Sequence, residues 1–166
     1  MKQHVLSHLT AKGHARMVDV GGKKKTRRTA KAEAVVRLGE TIARLVAEMG
    51  GVSKGNVLET ARIAGVMAAK RTADLIPMCH TLDLDSIDLD FGLAGDALVV
   101  TAEVRCQGRT GVEMEAMTAA SVAALTVYDM CKSADKGITI EHIRLIEKSG
   151  GKSGTWRLDR QVHSGD

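Results

Sequence analysis

Arg109-Thr110-Gly111-Val112-Glu113-Met114-Glu115-Ala116-Met117-Thr118-Ala119-Ala120-Ser121-Val122-Ala123-Ala124-Leu125-Thr126-Val127-Tyr128-Asp129-Met130-Cys131-Lys132 is the stretch around which the chain is organised. Its middle, Ala116 to Val127, carries no charge and is rich in Ala, with Met, Leu and Val. That composition favours helix, and apolar residues on nearly every side predict a buried one. Both ends are charged: Glu113 and Glu115 at the start, Asp129 and Lys132 at the finish. Steps of three and four place Glu115, Thr118, Val122, Leu125, Asp129 and Lys132 on one face. If the whole stretch is helical, Glu115 and Asp129 stand ~21 Å apart at 1.5 Å per residue. One chain then cannot bring both to one small substrate. Either the helix starts after Glu115, or two chains share a site.

Outward from this helix the pattern is mixed. Ala32 to Leu38 reads as a strand, and Ile42, Leu45, Val46 and Met49 recur at helical spacing over Glu40–Met49 before Gly50-Gly51. Val52 to Gly55 is a loop, and Asn56 is placed to cap a second helix running towards Leu75, with Pro77 as its stop. Leu82, Leu84, Leu89 and Phe91 are interleaved with aspartates, the mark of a half-exposed strand. With Ala94-Gly95-Asp96 as a turn and Leu98 to Cys106 as the return, this is a β-hairpin. Ile138 to Lys148 is a last strand. A glycine loop, Ser149 to Gly154, follows, with Trp156 placed to seat the end of the chain against the sheet. Hairpins and helices without regular βαβ alternation predict an α+β fold, with helices on one face of an antiparallel sheet. One domain is expected over residues 17–158, with flexible tails at 1–16 and 159–166.

Composition narrows the function classes. Aromatic residues make up 2% of 166 residues, only Phe91, Tyr128 and Trp156, so the core must be aliphatic. No apolar run approaches the ~20 residues of a membrane helix, and the first residues lack a secretory h-region. Cys79, Cys106 and Cys131 are odd in number and far apart, as expected of free thiols in a reducing compartment. A cytoplasmic location follows as the expectation. The net charge of +4 is unevenly spread. Lys23-Lys24-Lys25-Thr26-Arg27-Arg28 is a basic run, read either as a polyanion contact or as a solvated flexible segment. Asp83, Asp85, Asp88 and Asp90 form an acidic stripe. Nucleic acid is disfavoured because single-strand binding uses aromatic stacking platforms.

Few residues declare chemistry by spacing. No Cys-x-x-Cys occurs, and adjacent Cys79-His80 is a poor metal pattern. Gly151-Lys152-Ser153 resembles part of a P-loop, but the glycine required five residues earlier is Ile146. Its glycine amides, with Lys148 and Lys152, suit a phosphate pocket, and a mobile surface loop explains them equally well. Glu113 and Glu115 gain from the helix dipole, a complete structural explanation. Asp129 and Lys132, one turn apart, read either as a surface ion pair or as an acid–base pair tuned by partial burial.

Longer motifs add a resemblance. Asn56 to Gly65, Lys70-Arg71-Thr72, Asp74 to His80, Thr110 to Ala116, Tyr128 to Lys132 and Lys148 to Gly154 together resemble the cyclic pyranopterin monophosphate synthase family of molybdenum-cofactor biosynthesis. The resemblance spans about Met17 to Trp156. It implies conversion of 3′,8-cyclised dihydro-GTP to cyclic pyranopterin monophosphate with release of pyrophosphate, using no redox cofactor and no essential metal. It implies a ferredoxin-like fold and a hexamer of three dimers with sites between dimer partners. By motif, Asp129 matches the catalytic aspartate and Lys132 its partner. Met78-Cys79-His80 and Met114-Glu115 match substrate-binding segments, and Lys54, Glu113 and Lys148 match polar pocket residues. Arg28 and Lys152 are expected at the phosphates. Two positions depart from the family pattern: Thr81 stands where proline follows Cys-His, and Gly21 where serine follows Met-Val-Asp-Val.

Two other classes make different predictions. A polyphosphate- or nucleic-acid-binding module would use the basic run and glycine loop and leave Asp129 and Glu115 idle. A purely structural oligomer would use the central helix as an interface, and Asp129→Asn would have no chemical effect.

Overall fold

A computed structural model describes residues 13–49, 51–52 and 55–159. The central sheet comprises β1 (Thr26–Arg37), β4 (Leu84–Ala94), β5 (Ala97–Gly108), β6 (Thr139–Ser149) and β7 (Trp156–Arg157). Their spatial order is β4-β5-β1-β6-β7, antiparallel throughout. A two-stranded hairpin, β2 (Gly51–Val52) with β3 (Gly55–Asn56), stands apart from it. The helices are α1 (Glu40–Met49), α2 (Val57–Ala69), α3 (Thr72–Leu75) and α4 (Glu113–Cys131). Among the four long strands the second in the chain lies at one edge, next to the third, then the first, then the fourth. That order, with α2 and α4 in the two crossovers, is the split βαβ arrangement of ferredoxin-like folds.

The sheet sorts its side chains by period two. Ala30, Ala32, Ala34 and Val36 of β1 oppose Val104, Ala102, Val100 and Leu98 of β5, and all eight are buried. The intervening residues form the other face, which carries Lys31, Glu33, Glu103 and Arg105. Lys31 pairs with Glu103 at 2.7 Å, and Arg144 with Glu33 at 2.6 Å. Burial pushes the Glu33 carboxyl up, but hydrogen bonds from Arg144 and His142 outweigh it and hold its pKa below the ordinary value. Aspartates 85, 88 and 90 stand exposed on edge strand β4, where charge discourages pairing with another sheet.

α2 and α4 pack on the apolar face and on each other. Ala116, Ala119, Ala120, Ala123 and Ala124 are fully buried along α4. Gly65 of α2 lets the two helices close up: a Cβ there would meet Leu89 Cδ2 at 2.5 Å and the Ala119 carbonyl oxygen at 3.0 Å. The core is aliphatic, as composition requires, and Trp156 remains 42% exposed.

Four expectations change in detail. β1 begins at Thr26, so the end of the basic run is strand rather than flexible segment. Pairing with β5 from Thr26, and with β6 from Thr29, holds it there rather than its own alternation. Val52 and Gly55, read as loop, pair with each other as strand residues of β2 and β3. The second helix stops at Ala69: Arg71 N–H donates to the Ala68 carbonyl at 3.0 Å, and the Thr72 hydroxyl to that of Ala69 at 3.0 Å. α4 is not buried on every side, because Leu125 is 56% exposed. One expectation holds: Asn56 caps α2 by accepting from Glu59 N–H at 3.0 Å. Trp156 and Arg157 join β6 through backbone pairing, and the Trp156 ring does not do the seating expected of it.

Candidate active site

The first turn of α4 meets the loop after α3 at one end of the sheet. There, a cavity of about 290 Å³ is lined by Met78, Cys79, His80, Glu113, Met114 and Glu115. Val18, Val20 and Lys23, from the segment leading into β1, close another side. A turn holds that segment: Lys23 N–H donates to the Val20 carbonyl at 3.0 Å, and Gly21 N–H to Asp19 Oδ1 at 2.8 Å. Gly111 leaves room for the Glu113 carboxylate, which a Cβ at 111 would strike.

Glu115 is the unusual group here. It is 4% exposed, and its Oε2 is buried without a hydrogen-bond partner among the described residues. Burial pushes its carboxyl up to about 7; a backbone hydrogen bond opposes the shift, and the charge of Glu113 adds to it. A carboxyl poised there can give or take a proton near neutral pH. Burial, and then the charge of Glu115, push the Cys79 thiol up. The thiol is therefore a poor nucleophile.

A second group of basic side chains centres on Arg28 and the glycine loop. Arg28 Nε donates to the Gly108 carbonyl at 3.4 Å, and its Nη2 to that of Arg109 at 3.3 Å. The glycine loop closes over the same arginine. Gly150 (φ +95°) and Gly151 (φ +72°) adopt left-handed backbone, and a Cβ at 151 would collide with the Arg28 guanidinium. Glycine is thus required twice over. The Lys148 ammonium donates to the Ser153 hydroxyl, and exposed Lys152 is carried on the same loop. Lys54 lies outside the described residues.

Asp129 and Lys132 are elsewhere. α4 runs unbroken from Glu113 to Cys131, so Asp129 lies ~21 Å along the axis from Glu115. The possibility that the helix starts after Glu115 is therefore removed. Lys132 Nζ sits 2.6 Å from Asp129 Oδ1, and their side chains are 49% and 62% exposed. The expectation of partial burial fails, because these two lie on the outer face of the last turn of α4, while Val127 and Cys131 on the inner face are buried. The hydrogen bond to Asp129, and then its charge, raise the Lys132 pKa, so this lysine is firmly cationic in the single chain.

Comparison with known proteins places this geometry. A model of the MoaC family matches residues 17–151. The chain belongs to the MoaC family. Among its relatives, a cyclic pyranopterin monophosphate synthase of Novosphingobium aromaticivorans is 56% identical over 153 residues, covering 92% of this chain and 96% of that one. One of Bordetella pertussis is 57% identical over 156 residues, covering 93% and 96%. Another of Desulforapulum autotrophicum is 56% identical over 160 residues, covering 95% and 97%.

In this MoaC chain, then, the structure gathers Met78 to His80 and Glu113 to Glu115 in one cavity, and sets the glycine loop that carries Lys152 against Arg28, with Lys148 bonded to the same loop. It leaves Asp129 and Lys132 remote. Sequence reasoning passed over Val18, Val20 and Lys23 as cavity walls. The available signal was the alternation of Val18 and Val20 around Asp19, immediately before the Gly21-Gly22 turn. Among the described residues, no three His, Cys, Asp or Glu converge as metal ligands. No described helix is long and apolar enough to cross a membrane.

Proposed function

We propose that this chain is a cyclic pyranopterin monophosphate synthase, a lyase of molybdenum-cofactor biosynthesis. It converts 3′,8-cyclo-7,8-dihydro-GTP to cyclic pyranopterin monophosphate and pyrophosphate. The observation that carries the reading is the cavity, in which two motifs distant in sequence meet around a buried carboxyl poised near neutrality. The purine ring must be opened and a pterin rebuilt, which needs groups that hold and release protons. Glu115 is such a group, and Asp129 with Lys132 is an acid–base pair. The basic cluster of Arg28, Lys148 and Lys152, with Lys54, supplies charge-assisted hydrogen bonds to the phosphates.

A working site combines the cavity of one chain with Asp129 and Lys132 of another. The length of α4 supports this, as do the exposed Ile63, Met67 and Leu125 on α2 and α4. A hexamer of three dimers, acting in the cytoplasm through a single catalytic domain at residues 17–158, completes the proposal. A polyanion-binding module leaves the buried Glu115 without a role, and a structural oligomer leaves the cavity without one.

The test is turnover. Purified protein supplied with the cyclised dihydro-GTP should release one pyrophosphate per cyclic pyranopterin monophosphate formed. Substrate left intact after prolonged incubation with correctly folded protein would overturn the assignment. Neutralising Arg28, Lys148 or Lys152 should raise KM more than it lowers kcat.

A further inference from the structure

A second cavity, of about 190 Å³, adjoins the first and shares Val20, His80, Leu82 and Thr110 with it. The two differ in charge. Glu113 and Glu115 line the larger one with a single lysine, Lys23. Lys25 and Arg109 line the smaller one, with Asp83 as its one carboxylate. The stretch Gly108–Thr110 walls the smaller cavity, and Arg28 anchors that wall through the carbonyls of Gly108 and Arg109. Because Gly150 and Gly151 pack on Arg28, the loop bearing Lys152 is drawn to the same place.

We propose that the smaller cavity takes the polyphosphate end of the substrate, with Lys25 and Arg109 as phosphate ligands, while the carboxylate-lined cavity takes the base end. This rests on the synthase reading above. The substrate has two chemically opposite ends. Its guanine-derived ring carries N–H donors that carboxyl oxygens accept, and its triphosphate seeks cations and N–H groups. Two joined cavities with this charge division match it, in one orientation only. His80 and Thr110, common to both, then stand between ring and phosphates. Asp83 sets a limit on anion affinity, since its charge opposes that of the bound phosphates.

Inorganic pyrophosphate is the probe, titrated calorimetrically into the full-length protein at constant ionic strength, with turnover measured in parallel. Lys25→Gln and Arg109→Gln should each weaken pyrophosphate binding about tenfold, the loss expected for one charge-assisted hydrogen bond. Asp83→Asn should tighten binding several-fold. Lys24→Gln, whose side chain lines neither cavity, should leave it unchanged. Wild-type affinity in both Lys25→Gln and Arg109→Gln would overturn the proposal. So would a loss in Lys24→Gln equal to theirs, which would mean diffuse charge attraction, or failure of the wild type to bind pyrophosphate. Absent turnover by wild type would sink the synthase reading, while the calorimetry would still decide the subsite.

Discussion

The Glu115 carboxyl makes the stability of the substrate-free chain depend on pH. In the folded chain its pKa is raised from 4.5 to about 7. Between these values the folded chain keeps a proton that the unfolded chain has released. Stability therefore falls as pH rises through that window and stays lower above it, by roughly 3 kcal/mol. Glu115→Gln should remove the loss. Its thermal midpoint should exceed that of wild type at about pH 8, and the two should converge near the ordinary carboxylate pKa. A wild-type midpoint equal to or above the variant's at the higher pH would contradict the burial argument. Asp129 and Lys132 present the opposite case. Both side chains are largely exposed, and such ion pairs contribute little to stability. Asp129→Asn and Lys132→Ala should keep near-normal midpoints while losing roughly 10²–10⁴-fold in kcat, the contribution of general acid–base catalysis. Near-normal turnover in either variant would return the pair to a surface role.

Packing between α2 and α4 hinges on Gly65. Helix propensity alone favours alanine there by ~1 kcal/mol. The added Cβ, however, would press on Leu89 and on the Ala119 backbone. Overpacking of this kind costs about 1–3 kcal/mol. Gly65→Ala should therefore lower the calorimetric midpoint and Gly65→Val lower it further; a rise in both would mean that the helices separate freely. The same elements mark how far the sequence could be read. The β4–β5 hairpin was legible because aspartates alternate with Leu84, Leu89 and Phe91. Asn56 announced α2 by its capping chemistry. The first half of β1 was not legible, since Thr26 to Lys31 carries charge on a strand held by two neighbours. The end of α2 was missed because Thr72, not a glycine or proline, ends it through its own hydroxyl. The motif residues of the candidate site could be named as candidates from the sequence. The separation of Asp129 and Lys132 from Glu115 followed from helix length, whereas the meeting of two motifs in one cavity and of the glycine loop with Arg28 is tertiary, and nothing local encodes it.

The molecule as a whole sets the final constraint. An unbroken 19-residue helix holds the cavity at one end and Asp129 at the other. In the proposed shared site a two-fold axis would resolve the separation, by bringing the last turn of α4 in one chain against the cavity of its partner. Subunit mixing tests this. Glu115→Gln and Asp129→Asn are each expected to be inactive alone. In a mixed dimer with shared sites, one site carries both defects and the other carries neither. Activity should therefore reappear after subunits exchange, amounting to one working site per mixed dimer. If both groups came from the same chain, every site would keep one defect. No recovery of activity after exchange, demonstrated by mass spectrometry of the mixed species, would contradict the shared site.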